Sequence, residues 1–215
     1  MEITWHGHSC FRLTQRRMIA VVTDPYDAGE VGLPPLKLKA EVVTISHDAP
    51  GHNHVKSVKG VQHVLTGPGE YEIGGVFITA IRTNGKKRQA DKPRNTLFMF
   101  DYDGVTVAHL GNMQRVPTQS EIEALGHVHV ALVPVGGGNA LNASQAAEVI
   151  SLLEPSIVVP MHYQLPGTKS TLAPLQRFLK EMGVEKAEPV EMLKVTASGM
   201  PQELQVVVLQ NANTP

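Results

Sequence analysis

Apolar and β-branched residues recur along the chain in short runs that glycine and proline interrupt, and this pattern predicts strands for most of its length. In the first third the runs are "EITWHGHSCFRLT", "MIAVVTD" and "AEVVTIS", and the Pro/Gly-rich loop "PYDAGEVGLPPLK" precedes the third of them. Further along, "TLFMFDYDGVTVAHLG" predicts a β-hairpin that turns at its Asp-Gly pair. The runs "VHVALVPVGGG" and "SIVVPMHY" are apolar throughout and therefore predict buried strands.

Helix signals are fewer and stand in the second half of the chain. Thr118 and Glu121 form a capping box ahead of one short helix, and Asn142 and Gln145 cap a second, amphipathic one. The segment "TLAPLQRFLKEMG" predicts a third helix, and two strand-like runs follow it. This order of elements fits two β-sheets packed face to face with helices outside, a four-layer αββα sandwich of the α/β (α+β) class. We expect one domain over residues 1–215.

The composition indicates a globular protein and excludes several other classes. The 215 residues are 42% apolar and 18% charged, as in an ordinary globular protein with a real core. A formal charge of −1 gives no general attraction to nucleic acid or to an anionic membrane. The lone Cys10 excludes an internal disulfide, and neither a signal peptide nor a membrane-length apolar run is visible. These features predict a cytoplasmic protein.

Histidines stand where several predicted strands end. His47, His109 and His162 each come at the C-terminal edge of an apolar run, which predicts that they share one rim of the fold. The stretch "TISHDAPGHNH" adds His52 and His54 close to the first of them. Neutral imidazole binds Zn²⁺, Fe²⁺ or Mn²⁺, and a catalytic site needs about three protein ligands and one open position. The pattern therefore indicates a metal site.

Seven short motifs resemble those of the metallo-β-lactamase fold, and in particular the branch of small metal-dependent hydrolases related to L-ascorbate-6-phosphate lactonases. In order they are "TWHGHSCFRL", "VTDPY", "ISHDAPGHNH", "GPGEYEIGGVFI", "AHLGN", "VPVGGG" and "VVPMHY". The resemblance covers nearly the whole chain and is more specific for the fold than for the substrate. It implies the αββα sandwich and a metal-dependent hydrolase.

The resemblance implies an incomplete set of metal ligands. Four histidines fall on ligand positions of the family: His47, His52, His109 and His162. Three other ligand positions, a histidine and two acidic residues in the family, fall on Ala49, Gly51 and Asn112. A metal with two imidazole ligands binds weakly, and Gly51 also removes a proton shuttle. We therefore expect one divalent ion per chain (Zn, Mn or Fe), with a metal-free chain as the alternative.

Four further residues are candidates for lining or supporting this site: His8, Asp24, Asp48 and Asn112. His8 follows the first strand, where a structural turn is the competing interpretation. Asp24 is placed to orient a ligand histidine, against the alternative of a simple Asp-Pro turn. Asp48 and His54 could replace a lost ligand. No catalytic residue is assigned from the sequence.

The resemblance leads to two functional hypotheses. The first is a hydrolase that uses a metal-bound water to cleave a small ester or lactone, phosphorylated or not. The second is a non-catalytic protein of the same fold that binds a ligand or partner. A phosphodiesterase acting on nucleic acid is disfavoured because it would need a complete two-metal clamp.

The partners expected from the sequence are limited. A small-molecule substrate is expected, nucleic acid and membrane are not, and self-association stays open. The basic stretch Arg82 to Arg94 is interpreted as a solvated loop, with phosphate contact as the alternative.

Overall fold

The computed structural model describes residues 1–83 and 94–213, and within them the chain forms two large β-sheets. The first sheet has six strands, in the spatial order β14 (Leu193–Lys194), β1 (Glu2–Trp5), β2 (Phe11–Thr14), β3 (Val21–Thr23), β5 (Val42–Thr44) and β7 (His63–Leu65). The second has seven, in the order β15 (Gln205–Val206), β13 (Ile157–Met161), β12 (Val130–Pro134), β11 (Val105–His109), β10 (Thr96–Tyr102), β9 (Val76–Arg82) and β8 (Gly69–Ile73). A small parallel pair joins β4 (Leu38–Lys39) to β6 (Val58–Lys59).

The helices of the described residues are short. They are α1 (Ala28–Val31), α2 (Gln119–Leu125), α3 (Ala143–Leu153) and α4 (Leu175–Glu181), with 3-10 turns at Val55–Ser57 and Ala197–Gly199. Helices α2 and α3 begin with the predicted capping boxes. Helix α3 is amphipathic and buries one stripe that includes Ala146, Val149 and Ile150. Among these helices and the rest of the described chain, none is both long and apolar enough to cross a membrane.

The two sheets pack against each other through one apolar cluster. Ile3, Phe11 and Leu13 of the first sheet and Phe98 and Phe100 of the second belong to the same buried cluster. Strands β12 and β13 are buried at every position, because the first sheet covers one face and helices cover the other. The two sheets and outer helices are the predicted layers.

The outer layer on the first sheet differs from the others because it is mostly irregular chain. A second apolar cluster joins Val22 and Val43 of that sheet to Tyr26, Val31 and Leu36, which lie in and around α1. The sequence predicted only a loop here. Asp27 makes α1 possible, since its side chain accepts hydrogen bonds from the first backbone N–H groups of that helix.

Strand direction brings several strand ends to one edge. Strands β3, β5 and β7 are parallel, and β1 runs in the same direction because β2 pairs antiparallel with both β1 and β3. In the other sheet β11, β12 and β13 are parallel. Backbone hydrogen bonds from Thr96 N to Ser46 O (2.8 Å) and from His162 N to His8 O (3.0 Å) connect the two sheets at this edge.

Most predicted strands and helices are present in the structure. The predicted hairpin turns at Asp103 and Gly104, both of which have positive φ. The basic stretch from 82 to 94 falls almost entirely outside the described residues. The single-domain assignment to residues 1–215 stays a prediction.

Candidate metal centre

Five buried side chains come together where strands of both sheets end. Asp24 follows β3, His47 follows β5, His162 follows β13 and His8 lies in the turn between β1 and β2. His52 comes from the loop after β5, and all five side chains are largely shielded from solvent. Two overlapping groups could each hold a metal ion: His8 with His52 and His162, and Asp24 with His47 and His52. Within each group the ligand atoms lie within 4.8 Å of one another.

Asp24 organises the second group by hydrogen bonding. Its Oδ1 accepts a hydrogen bond from Ser46 N at 2.7 Å, and its Oδ2 accepts from Ser46 Oγ at 2.5 Å and from His52 Nδ1 at 2.8 Å. Ser46 Oγ also lies 3.0 Å from His47 Nδ1 and can accept that proton, since its own is given to Asp24. One carboxylate thus sets the tautomers of both rings, directly for His52 and through Ser46 for His47.

The same contacts distinguish the orienting residue of the cluster from the nitrogens that could bind a metal. Both oxygens of Asp24 already accept hydrogen bonds, so its geometry suits a residue that orients histidines more than a metal ligand. His52 and His47 each keep Nε2 as the nitrogen that carries the lone pair. In the first group, His52 Nε2 lies 3.2 Å from His8 Nε2. Asp24 therefore lies where it can orient His52, and its supporting role at a metal site stays a prediction.

Backbone geometry fixes the rings of His8 and His162. Both residues have positive φ, 52° and 54°, which is uncommon for residues other than glycine and is costly unless surrounding contacts enforce it. Those contacts exist, because His8 O accepts hydrogen bonds from His162 N at 3.0 Å and from Trp5 Nε1 at 3.1 Å. The two ring centroids are 4.4 Å apart. His8 of the first sheet and His162 of the second are therefore held side by side.

His109 belongs to neither group. It ends β11 and is fully buried, and its Nε2 donates a hydrogen bond to Ser9 O at 2.9 Å. Its Nδ1 is buried, and no group of residues 1–83 or 94–213 forms a hydrogen bond with it. The structure thus brings together three of the four histidines predicted as ligands, His47, His52 and His162, and holds His109 by a backbone contact. As a ligand set, the four histidines stay a prediction.

The remaining predicted residues take different positions. Asn112 is buried and its backbone N donates to Asn95 Oδ1 at 2.7 Å, while its own Oδ1 has no hydrogen-bond partner among the described residues. Asp48 is exposed and accepts a hydrogen bond from Asn53 Nδ2 at 2.6 Å. His54 pairs with Asp27 at 3.2 Å. Neither Asp48 nor His54 is a member of the two groups.

Burial keeps three of the clustered histidines neutral, His8, His47 and His162. Desolvation, followed by the repulsion of neighbouring imidazoles, lowers the pKa of His47 to about 4 and that of His162 to about 3, and it holds the pKa of His8 well below its usual value. Burial alone would raise the pKa of Asp24, but the hydrogen bond to His52 and further favourable interactions, including that with Ser46, outweigh burial and lower the pKa to about 2. At neutral pH the rings of His8, His47 and His162 are thus uncharged and lie beside one ionised carboxylate.

This arrangement fits a divalent metal ion. Neutral imidazole is the form that binds metals, and ligand histidines typically give their other N–H to a carboxylate, as His52 does. His162 Nδ1 is buried and has no partner in the described chain, which is costly for a polar atom with no other role. Three nitrogens from different segments and one orienting carboxylate are the components of a metal site.

Two residues that support the cluster and the loop after β11 by hydrogen bonds were not identified from the sequence. Ser46 was read only as the end of a strand, yet it joins Asp24 to His47. Asn95 was not singled out, although its side chain bonds Leu110 O and Asn112 N and so fixes the loop after β11. The position of Ser46, directly before His47 and at a strand exit, is the one signal in the sequence that could have identified it.

Known proteins resemble this chain over most of its length. A family model described as a β-lactamase superfamily domain matches residues 2–162. A metal-dependent hydrolase of the UPF0173 group from Thermoplasma acidophilum is 26% identical over 193 residues, covering 76% of this chain and 83% of the relative.

Solved structures show the same fold. A Thermotoga maritima protein, proposed to be a zinc-dependent hydrolase of the metallo-β-lactamase superfamily, aligns with a TM-score of 0.78 and 34% identity over 97% of this chain and 98% of that one. Igni18, a metallo hydrolase from Ignicoccus hospitalis, aligns with a TM-score of 0.65 and 22% identity over 91% and 99% of the two chains, and that likeness speaks for the fold alone. The chain therefore belongs to the β-lactamase superfamily and has the metallo-β-lactamase fold.

Proposed function

We propose that the protein is a metal-dependent hydrolase that cleaves a small ester or lactone, phosphorylated or not. The observation that carries the proposal is the Asp24 network. It engages the Nδ1 atoms of His47 and His52 and leaves their Nε2 atoms available to a ligand, and the buried Nδ1 of His162 has no partner in the described chain. The metal dependence named for the UPF0173 relatives supports the same proposal.

His52 and His162 would hold the ion, with the ring of His47 next to them at a centroid distance of 4.0 Å from that of His52. A divalent ion at such a site supplies a Lewis acid that lowers the pKa of a bound water to about 7. The chain's own contribution is orientation, because Asp24 and Ser46 fix the ring tautomers before any ligand arrives. Burial contributes as well, since it strengthens electrostatic interactions at the reacting group.

The lack of a free carboxylate in the two groups supports the proposed substrate class. No carboxylate of the two groups is free to relay a proton, because both oxygens of Asp24 are occupied. An activated ester or a strained lactone needs less help for its leaving group than a phosphodiester does. This difference favours esters and lactones.

The experiment is a hydrolysis assay on the full chain, purified metal-free and reloaded separately with Zn²⁺, Mn²⁺ or Fe²⁺. The substrates are an aryl ester, a γ-lactone, an aryl phosphate and an aryl phosphodiester. We expect ester or lactone hydrolysis that requires metal and falls at least about 100-fold in His52→Ala. The matched control is His63→Ala, which removes an exposed histidine on β7.

Two outcomes would overturn the proposal. One is a folded, metal-loaded protein that hydrolyses none of the four substrates. The other is activity that His52→Ala leaves unchanged. The first would favour the alternative of a non-catalytic binding protein of the same fold.

A further inference from the structure

The ring of His8 lies directly beside Gly51. A Cβ built on Gly51 would lie 3.0 Å from His8 Nε2, closer than most Cβ atoms approach a neighbour, and in van der Waals contact with His8 Cδ2 at 3.4 Å. The φ angle of Gly51 lies outside the left-handed region, so the backbone there does not itself require glycine. The ring of His8 therefore occupies the space into which any side chain at position 51 would project.

The Nε2 atoms of His8 and His52 are as far apart as two ligand nitrogens of one metal ion. His8 Nε2 and His52 Nε2 are 3.2 Å apart. Two imidazole nitrogens on one tetrahedral zinc, each about 2.0–2.1 Å from the ion, are separated by about 3.3 Å. Since Asp24 holds the proton of His52 on Nδ1, the lone pair of its Nε2 is the one directed toward His8.

The third member of the group completes a site formed by three separate segments. The buried Nδ1 of His162 has no hydrogen-bond partner in the part of the chain that the structure describes, and the ring centroid of His162 is 4.4 Å from that of His8. The hydrogen bond from His162 N to His8 O ties the two backbones together. The three histidines come from different segments. His8 lies in the β1–β2 turn, His52 lies in the loop after β5, and His162 follows the end of β13.

We propose that His8 is the third protein ligand of a single metal ion, with His52 and His162, and that Gly51 is required because it leaves room for the ring of His8. This inference rests on the proposed function and specifies its metal site. In the family motif that the sequence resembles, position 51 carries an aspartate ligand. Here an imidazole from the N-terminal turn takes over the space and the ligand role of that carboxylate.

The test is the binding of Zn²⁺ to the full chain by titration calorimetry, together with the visible absorption spectrum of the Co²⁺ form. Wild type should bind about one ion. His8→Ala should bind at least about 100-fold more weakly, with a changed Co²⁺ spectrum. Gly51→Ala should weaken binding at least about tenfold, because its methyl group displaces the ring of His8. The matched control is Gly67→Ala, which has no heavy atom within 4 Å of the added Cβ.

The double variant His8→Ala/Gly51→Ala shows whether the alanine at position 51 weakens metal binding by displacing His8 or by changing the backbone. If Gly51→Ala acts only by displacing His8, then His8→Ala/Gly51→Ala should bind Zn²⁺ as His8→Ala does, whereas independent effects would add. Additive effects would overturn the spatial role of Gly51, and wild-type affinity in His8→Ala would overturn the ligand role of His8. Both results leave the proposed function standing if wild type binds metal. A wild-type chain that binds no ion would refute the inference and the proposed function together.

Discussion

Replacing Asp24 by asparagine is the most informative single change outside the three proposed ligands. Asparagine has nearly the same shape and tolerates the φ of 40° at this position, so the backbone should not change. What changes is hydrogen bonding. The carboxylate accepts three hydrogen bonds, from Ser46 N, Ser46 Oγ and His52 Nδ1, whereas an amide has one acceptor oxygen and an NH₂ group that can only donate.

The size of the effect follows from those contacts. If the amide oxygen stays on Ser46 N, the NH₂ group faces His52 Nδ1 and drives the His52 proton to Nε2, the nitrogen nearest His8. The loss of one charge-assisted hydrogen bond should lower the free energy of unfolding of the metal-free chain by about 1.5–3 kcal/mol. The loss of an orienting carboxylate typically costs 10- to 100-fold in metal affinity, about 1.4–2.8 kcal/mol.

Two measurements check this prediction. Urea unfolding in the presence of a chelator gives the stability of the metal-free chain, and Zn²⁺ titration gives the affinity. Asp48→Asn is the matched control, because Asp48 is exposed, stands in the same loop as His52 and should leave both quantities unchanged. Wild-type affinity in Asp24→Asn would refute the claim that Asp24 sets the tautomer of His52.

Three further predictions test the pH dependence, the packing and the ligand set. First, the metal-free chain should lose stability to urea as the pH falls from about 6.5 toward 3, because the pKa of His162 is about 3 in the folded chain and near 6.5 when unfolded, so protonation favours unfolding; a midpoint that stays constant between pH 7.5 and 4.5 would contradict this. Second, Gly111→Ala should lower the melting temperature far more than Gly104→Ala, since both have positive φ but only the Cβ at 111 would collide with Ser46 and Asn95; equal losses would rule out the collision as the cause. Third, His109→Ala should weaken Zn²⁺ binding less than His52→Ala does, because His109 belongs to neither group of close ligand atoms; an equal loss would restore His109 to the ligand set.

Local signals in the sequence predicted much of the fold. The capping boxes of α2 and α3, each contained within four residues, are present, and so is the Asp103–Gly104 turn. Helix α1 was not predicted, because its four residues lie in a Pro/Gly-rich segment and depend on burial of Val31 against the first sheet. Short elements that depend on tertiary packing give little periodic signal.

The candidate site was predictable to a smaller degree. Histidines at strand exits pointed to the correct edge of the sheets. The contact of His8 with His52 joins residues 44 positions apart and depends on a positive φ that no sequence pattern displays. The glycine at position 51 was interpreted as the loss of a ligand, whereas the structure shows the ring of His8 in the space it leaves. Such a replacement is visible only when both segments are placed in three dimensions.

The central claim is that the histidine cluster binds a metal ion, and Zn²⁺ titration of the metal-free full chain, compared with His52→Ala, tests it most directly. The structure predicts about one ion per wild-type chain and at least about a 100-fold weaker affinity in the variant. A wild-type chain that stays folded and binds no Zn²⁺, Mn²⁺ or Fe²⁺, or a variant that binds Zn²⁺ as tightly as wild type, would contradict it.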